Sequence, residues 1–282
     1  MKKIITVIIA VLTIWGIIPT AIIASGISVD AGLTPPEGRW ITRAQIRYMP
    51  SAADNSMGNS EMTMYGLPIM VAYGARNYLM IMARQTVMSK DMTMMGMNSS
   101  HTGPGDLFLL GKYKAYRLNT PGYTIGVSPT LGISIPTGDD NFTSDSWDLN
   151  TGLYISGRRA RFSAHLNLGF NWYDFTGDSD KIAQPGNEIS LDWAGTYQIG
   201  FARDRSFAPV VELSYNKALQ GEIDGADDPN SGGDILYVSP GAKLTISSTI
   251  FEALLRIPAS QNPNGAQMEA ETGFIAGMRV MF

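Results

Sequence analysis

The sequence predicts an all-β protein: a transmembrane, antiparallel, up-and-down β-barrel of about twelve strands, preceded by a cleaved export leader. Three observations predict it. Apolar and polar residues alternate with a period of two along runs of ten residues or more. The connections between these runs alternate long and short. Aromatic residues of the apolar parity gather at both ends of the runs. Half-buried strands alternate in this way. A tilted strand needs roughly nine to eleven residues to cross a bilayer, against about five or six for an ordinary globular strand.

The chain opens on Met1-Lys2-Lys3, the apolar run IITVIIAVLTIWGII and the small-residue stretch PTAIIASG. A basic start, an apolar stretch and small residues read as a secretory signal peptide. It covers residues 1–26, with removal after Ala24 or Gly26. That leaves 27–282 as one barrel domain, since no linker or composition break follows. An uncleaved membrane helix over Ile4–Ala24 is the alternative. Without Lys2 and Lys3, 19 Lys and Arg face 25 acids, which argues against nucleic acid as a partner. The absence of cysteine excludes disulfides and thiolate metal sites.

Strands are expected near 39–49, 62–73, 77–88, 106–117, 123–136, 147–158, 161–173, 187–202, 207–220, 233–246, 249–258 and 271–282. The clearest is YTIGVSPTLGISI, where Tyr123, Ile125, Val127, Pro129, Leu131, Ile133 and Ile135 share one face and Thr124, Gly126, Ser128, Thr130, Gly132 and Ser134 the other. Long connections fall at 50–61, 89–105, 137–146, 174–186, 221–232 and 259–270. Short ones fall at 74–76, 118–122, 159–160, 203–206 and 247–248. Outer-membrane barrels have an even strand number, long outer loops and short periplasmic turns. The long loops are acidic (Asp139, Asp140, Asp145, Asp174, Asp178, Asp180, Glu222, Asp224, Asp227, Asp228). The short turns carry Arg76, Arg117, Arg158, Arg159, Arg203 and Arg205.

Trp40, Tyr73, Tyr123, Phe162, Phe201, Phe207, Phe251 and Phe282 mark the periplasmic end. Tyr48, Tyr65, Trp147, Trp172, Trp193, Tyr215 and Phe274 lie toward the outer end. Two such girdles suit a barrel in lipid. The last segment, FIAGMRVMF, reads as the closing strand. Its apolar stripe ends on Phe282 and resembles the terminal signal read by the barrel-assembly machinery. A soluble sandwich would also alternate, but would not place two aromatic belts and six long loops in this order. The expected location is therefore the bacterial outer membrane, with its lipid as solvent.

Three stretches, GDLFLLGKYKAYR (105–117), ISIPTGDDNFTSDSWD (133–148) and DDPNSGGDILYVSPG (227–241), resemble a family of outer-membrane transporters named for the MetA pathway of phenol degradation. EGRWITRAQIRYM and GFIAGMRVMF are similar too, so the likeness covers nearly the whole mature chain. Pro136–Asp140 and Ser231–Gly233 are its most specific pieces. The resemblance implies a β-barrel that moves small solutes, aromatics among them, and brings no catalytic residues. The chain departs from the family pattern at 89–104, which is methionine-rich.

Parity sorts the candidate functional residues. Arg39, Arg43, Arg47, Met62, Met64, Met70, Met80, Met82, Arg84, Lys112, Lys114, Asp148, His165, Glu188, Asp192, Glu212, Lys243, Glu252, Arg256 and Arg279 are expected to line the lumen. Such charges either select solutes or pair with one another to fill a narrow barrel. Twelve of the 16 methionines lie between Met49 and Met97. Met92, Met94, Met95 and Met97, with His101, form a candidate metal set, because thioethers favour Cu(I). Methionine also serves as adaptable filler or as an apolar track. The acidic loops hold enough oxygens for Ca²⁺ but lack EF-hand spacing.

A barrel hydrolase would need a Ser/His pair. His165 has Asn167 two residues on but no serine there, so an enzyme is not expected. The expected function is passage of small hydrophobic or aromatic solutes without a cofactor. A copper-binding or export barrel and a sealed surface barrel are the alternatives.

Overall fold

Twelve antiparallel strands close on themselves in the computed structural model, which describes residues 25–55, 58–94, 96–177, 182–202 and 204–282. Residues 1–24 of the expected leader (1–26) and Met95, Asp178, Asp180 and Arg203 lie outside the described residues. The wall strands are β1 (Trp40–Asn55), β2 (Gly58–Arg76), β3 (Leu79–Met94), and β4 in three pieces (Met97–Pro104, Leu107–Tyr113, Tyr116–Thr120). Then come β5 (Tyr123–Ile135), β6 (Asp148–Arg159), β7 (Phe162–Trp172) and β8 in two pieces (Glu188–Tyr197, Ile199–Ala202). Finally there are β9 (Arg205–Ala218), β10 (Gly233–Ile246), β11 (Thr249–Pro263) and β12 (Gly273–Met281). Each pairs with its neighbours in sequence, and β1 pairs with β12 from Ile41↔Met281 to Tyr48↔Phe274. Trp40 and Phe282 exchange both backbone hydrogen bonds, at 2.9 and 3.0 Å. Closure of this kind leaves no open edge for lipid to meet.

The alternation works as an inside-out protein. Lipid-facing positions are apolar and bare: Ile46 is 53% exposed, Leu131 60% and Phe162 64%. Lumen-facing positions are polar or charged and buried, among them Arg43, Gln45, Lys112, Glu212, Lys243, Glu252 and Arg279. The aromatic belts form by cross-strand contact. At one end the Trp40 and Tyr73 rings lie 4.4 Å apart and those of Phe162 and Tyr197 4.8 Å apart. At the other, Tyr48 stands 5.4 Å from both Tyr65 and Phe274.

Two expected loops are strand instead. Residues 50–55 and 58–61 extend β1 and β2, and 89–94 and 97–104 extend β3 and β4. Above the membrane both faces of a strand meet water, so apolar–polar alternation no longer marks it. Polar cross-strand pairs take over, with Ser89–Thr102 at 2.8 Å and Thr93–Asn98 at 2.9 Å. The outer edge of the barrel is therefore tall on the β1–β4 side. Long connections remain over 136–147, 219–232 and 264–272, and two-residue strands at Ala183–Gln184, Glu222–Ile223 and Ala226–Asp227 form a small separate sheet.

The breaks in β4 have side-chain causes. At the first, Asp106 turns aside and accepts from Thr137 N (3.1 Å), Gly138 N (2.9 Å), Ser144 N (2.9 Å) and Ser144 Oγ (3.1 Å). This one carboxylate explains why Gly105-Asp106 and Pro136-Thr137-Gly138 occur together: the first folds the second. At the second break, Lys114 donates to Asn77 O on the neighbouring short turn.

Candidate functional site

Residues 25–36, SGISVDAGLTPP, belong to no strand and fill the lumen. Ile27, Val29 and Pro35 are buried, Ile27 completely. The segment enters beside β2, where Gly74 lies against Pro36 O, and crosses to β5 and β6. There Gly32 lies against the backbone oxygens of Tyr154 and Gly126 so closely that a Cβ on Gly32 would sit 2.3 Å from Tyr154 O. It then runs to β9–β12, where Ile27 packs on Val210, Leu254 and Ile275.

A segment without secondary structure leaves its backbone groups to be satisfied by side chains. Lumen side chains on most of the wall do so. Glu212, fully buried, accepts from Ile27 N, from Ser28 N (3.0 Å) and from Ser28 Oγ. The Asn167 amide, turned to suit its neighbours, bonds both the N–H and the C=O of Asp30 at 3.0 Å. Ser156 Oγ accepts from Gly32 N (2.7 Å), and Ser128 Oγ donates to Gly32 O (3.0 Å). Lys112 donates to Ala31 O (2.8 Å), Gln45 to Ile27 O (3.0 Å), Arg279 to Gly26 O (3.0 Å) and Lys243 to Ser25 O.

Glu252 organises these donors. It accepts from Arg43 Nε (2.7 Å), Gln45 Nε2 (2.8 Å) and Arg279 Nη2 (3.1 Å). Isolated charges here would be costly, but each ion in this group has partners.

The structure thus separates the expected lumen residues. Arg43, Lys112, Glu212, Lys243, Glu252 and Arg279 join the plug and its supports. Arg47, Arg84 and Arg256 face the lumen without an ion pair among the described residues. Arg47 donates to Gln45 Oε1 (2.9 Å), Arg84 lies over the Phe108 ring (4.6 Å) and Arg256 over Tyr237 (3.8 Å). Asp192 faces the lumen on β8, Glu188 begins that strand, and Asp148 at the start of β6 accepts from Ser146 and Asp174. Met70, Met80 and Met82 pack around Ala72, Leu110 and Phe108 beside the plug. Arg39 precedes β1 and Lys114 sits in the second break of β4, both at the short-turn rim.

His165 has a serine partner, though not along its own strand. Ser156 is its Cα partner across β6–β7, and its Oγ stands 2.7 Å from Nδ1. Cross-strand pairs of this kind are invisible to local spacing. The pair is buried beneath the plug, and the serine hydroxyl is engaged with Gly32.

Met62, Met64, Met92, Met94, Met97 and His101 share one face of the tall β1–β4 sheet. Register aligns Met62 with Met92, Met94 with Met97, and Met64 with Lys90 and then His101. In the acidic loop, Asn141 donates to Asp139 Oδ1 through its side chain (3.0 Å) and its backbone (3.1 Å). Those bonds hold the Asp139 carboxyl below the usual carboxylate range.

The model of the family described as MetA-pathway of phenol degradation matches residues 58–259. No curated protein matches the chain. An outer membrane channel from Pseudomonas putida F1 superposes with a TM-score of 0.71 at 15% identity, over 90% of this chain and all of that one. The beta domain of the Bordetella autotransporter BrkA gives 0.53 at 12% identity, over 88% and 100%. The translocator domain of the Neisseria meningitidis autotransporter NalP gives 0.50 at 9%, over 89% and 91%. At these identities the likeness is one of fold. The match over residues 58–259 and the closed barrel together make the chain a member of the MetA-pathway phenol-degradation family, built as a β-barrel of the bacterial outer membrane.

Proposed function

We propose that the protein is a channel for small hydrophobic or aromatic solutes, closed at rest by residues 25–36. One observation carries this reading: the lumen is filled by a strandless segment held by hydrogen bonds to side chains rather than by the wall itself. Such bonds contribute about 0.5–1.5 kcal/mol each, and water can replace them. A segment held so can leave and return, whereas a barrel built only to be sealed needs no removable filling. The P. putida protein of the same fold bears the name of a channel, which supports the reading. The leader ends at Ala24 on this view, because Ser25 and Gly26 already serve the plug through Lys243 and Arg279. Proteoliposome uptake of neutral aromatic solutes tests the reading. Uptake above that of protein-free vesicles is expected, and its absence even after removal of the plug would assign a sealed surface barrel.

A second reading rests on the methionine face. Direct cross-strand partners have Cβ atoms about 5 Å apart and diagonal ones about 7–8 Å, so the pair Met94 and Met97, with Met92 diagonal to Met97 and to His101, can offer thioethers to a soft monovalent ion such as Cu(I). Replacing the three methionines with leucine should abolish Cu(I) binding in a competition titration. An unchanged titration removes the idea.

A further inference from the structure

The plug carries one carboxylate, Asp30, into a basic region of the lumen. Lys112, Arg43, Arg279 and Arg84 are the charges that act on it. Its contact with them is loose: the nearest nitrogen is Arg43 Nη1 at 3.9 Å, beyond hydrogen-bond distance. Its side chain is 33% exposed, while Arg43 is 8% exposed. Arg43 spends its Nε on Glu252, and its Nη2 is buried without an acceptor among the described residues. Two further guanidiniums, Arg47 and Arg84, form no ion pair among the described residues. The region therefore holds an under-used fork with its outer nitrogens toward a carboxylate that does not dock on it.

Beside Asp30 the cations meet thioethers. A cavity of about 50 Å³ lies between the plug and strands β1–β4 and β12, lined by Asp30, Arg43, Lys112 and Arg279 and by Met70, Met80, Met82 and Met281. That volume holds a few waters. An organic solute gains the space only when residues 29–33 move aside. Cationic forks beside a thioether wall match one class of molecule: a carboxylate on an apolar body.

We propose that a small monocarboxylate with an aromatic or short aliphatic body docks on Arg43 in the place of Asp30 and so displaces the plug. The proposal rests on the channel reading above and names its solute class. A free carboxylate can make the bidentate, charge-assisted bonds to a guanidinium that Asp30, tethered by Asn167 through its own backbone, does not make. The plug is then a built-in competitor. A solute opens the barrel only insofar as it binds the unplugged state better than the plugged one.

Benzoate and benzamide, alike in size but not in charge, separate the possibilities with full-length protein in proteoliposomes and planar bilayers. In the wild type, benzoate should raise channel opening and its own uptake at least tenfold over benzamide. Asp30→Asn, which removes the competing charge, should open at a lower benzoate concentration than the wild type. Arg43→Gln should lose the preference for the acid, and Arg84→Gln, which leaves the Glu252 bonds intact, should reduce it even if Arg43→Gln assembles poorly. Equal handling of acid and amide by the wild type overturns this inference and leaves the channel reading standing. Passage of neither solute, in the wild type and in a variant lacking residues 25–34 alike, overturns both.

Discussion

Two sets of lumen charges use the same residue types differently. Glu212, Glu252, Arg279, Lys112 and Lys243 are buried and bonded to the plug backbone or to one another. Arg84 and Arg256 rest on the faces of Phe108 and Tyr237 and form no ion pair among the described residues. A charge that faces inward is thus structural or available according to whether a backbone group stands opposite it. Cation–π contact holds a guanidinium in place without consuming all its donors.

The sharpest way to break this contrast is at Glu212. Glu212→Ala strands three plug donors, at a cost of about 1–3 kcal/mol. That should raise the unplugged population roughly 5- to 150-fold, read as open probability in planar bilayers, with the barrel still migrating differently on gels before and after boiling. An unchanged open probability would mean that Glu212 does not hold the plug. A smaller effect is expected in the other set. Arg256→Gln touches no plug residue, so opening frequency should stay constant. Removing one cation from a hydrated lumen is worth below about 1 kcal/mol, so anion preference, read from the reversal potential, should fall by less than about fivefold. A change in opening frequency instead would show that the two sets do not act separately.

Much of the wall was legible in the sequence because each strand carries its own evidence. Ile125 and Gly126, or Arg43 and Ala44, announce their faces by parity alone, and Phe282 announces closure against Trp40. The tall β1–β4 sheet was not legible, since water on both sides of 89–104 removes the signal that lipid imposes. The plug was not legible either. ISVDAGLTPP has no period, abuts the leader, and takes its structure from Asn167, Glu212 and Lys243, residues more than a hundred positions away. For the same reason Glu212 and Lys243 could be placed in the lumen but not matched to what they hold. Ser156 and His165 were separable only by register, which a single strand does not encode.

The account stands or falls on whether residues 25–36 close an otherwise open barrel. Single-channel recording of the full-length protein beside a variant lacking 25–34 but keeping its export leader tests that directly. The account predicts long closures with brief openings for the first and a steady, larger conductance for the second. Equal conductance from two correctly folded barrels would contradict it.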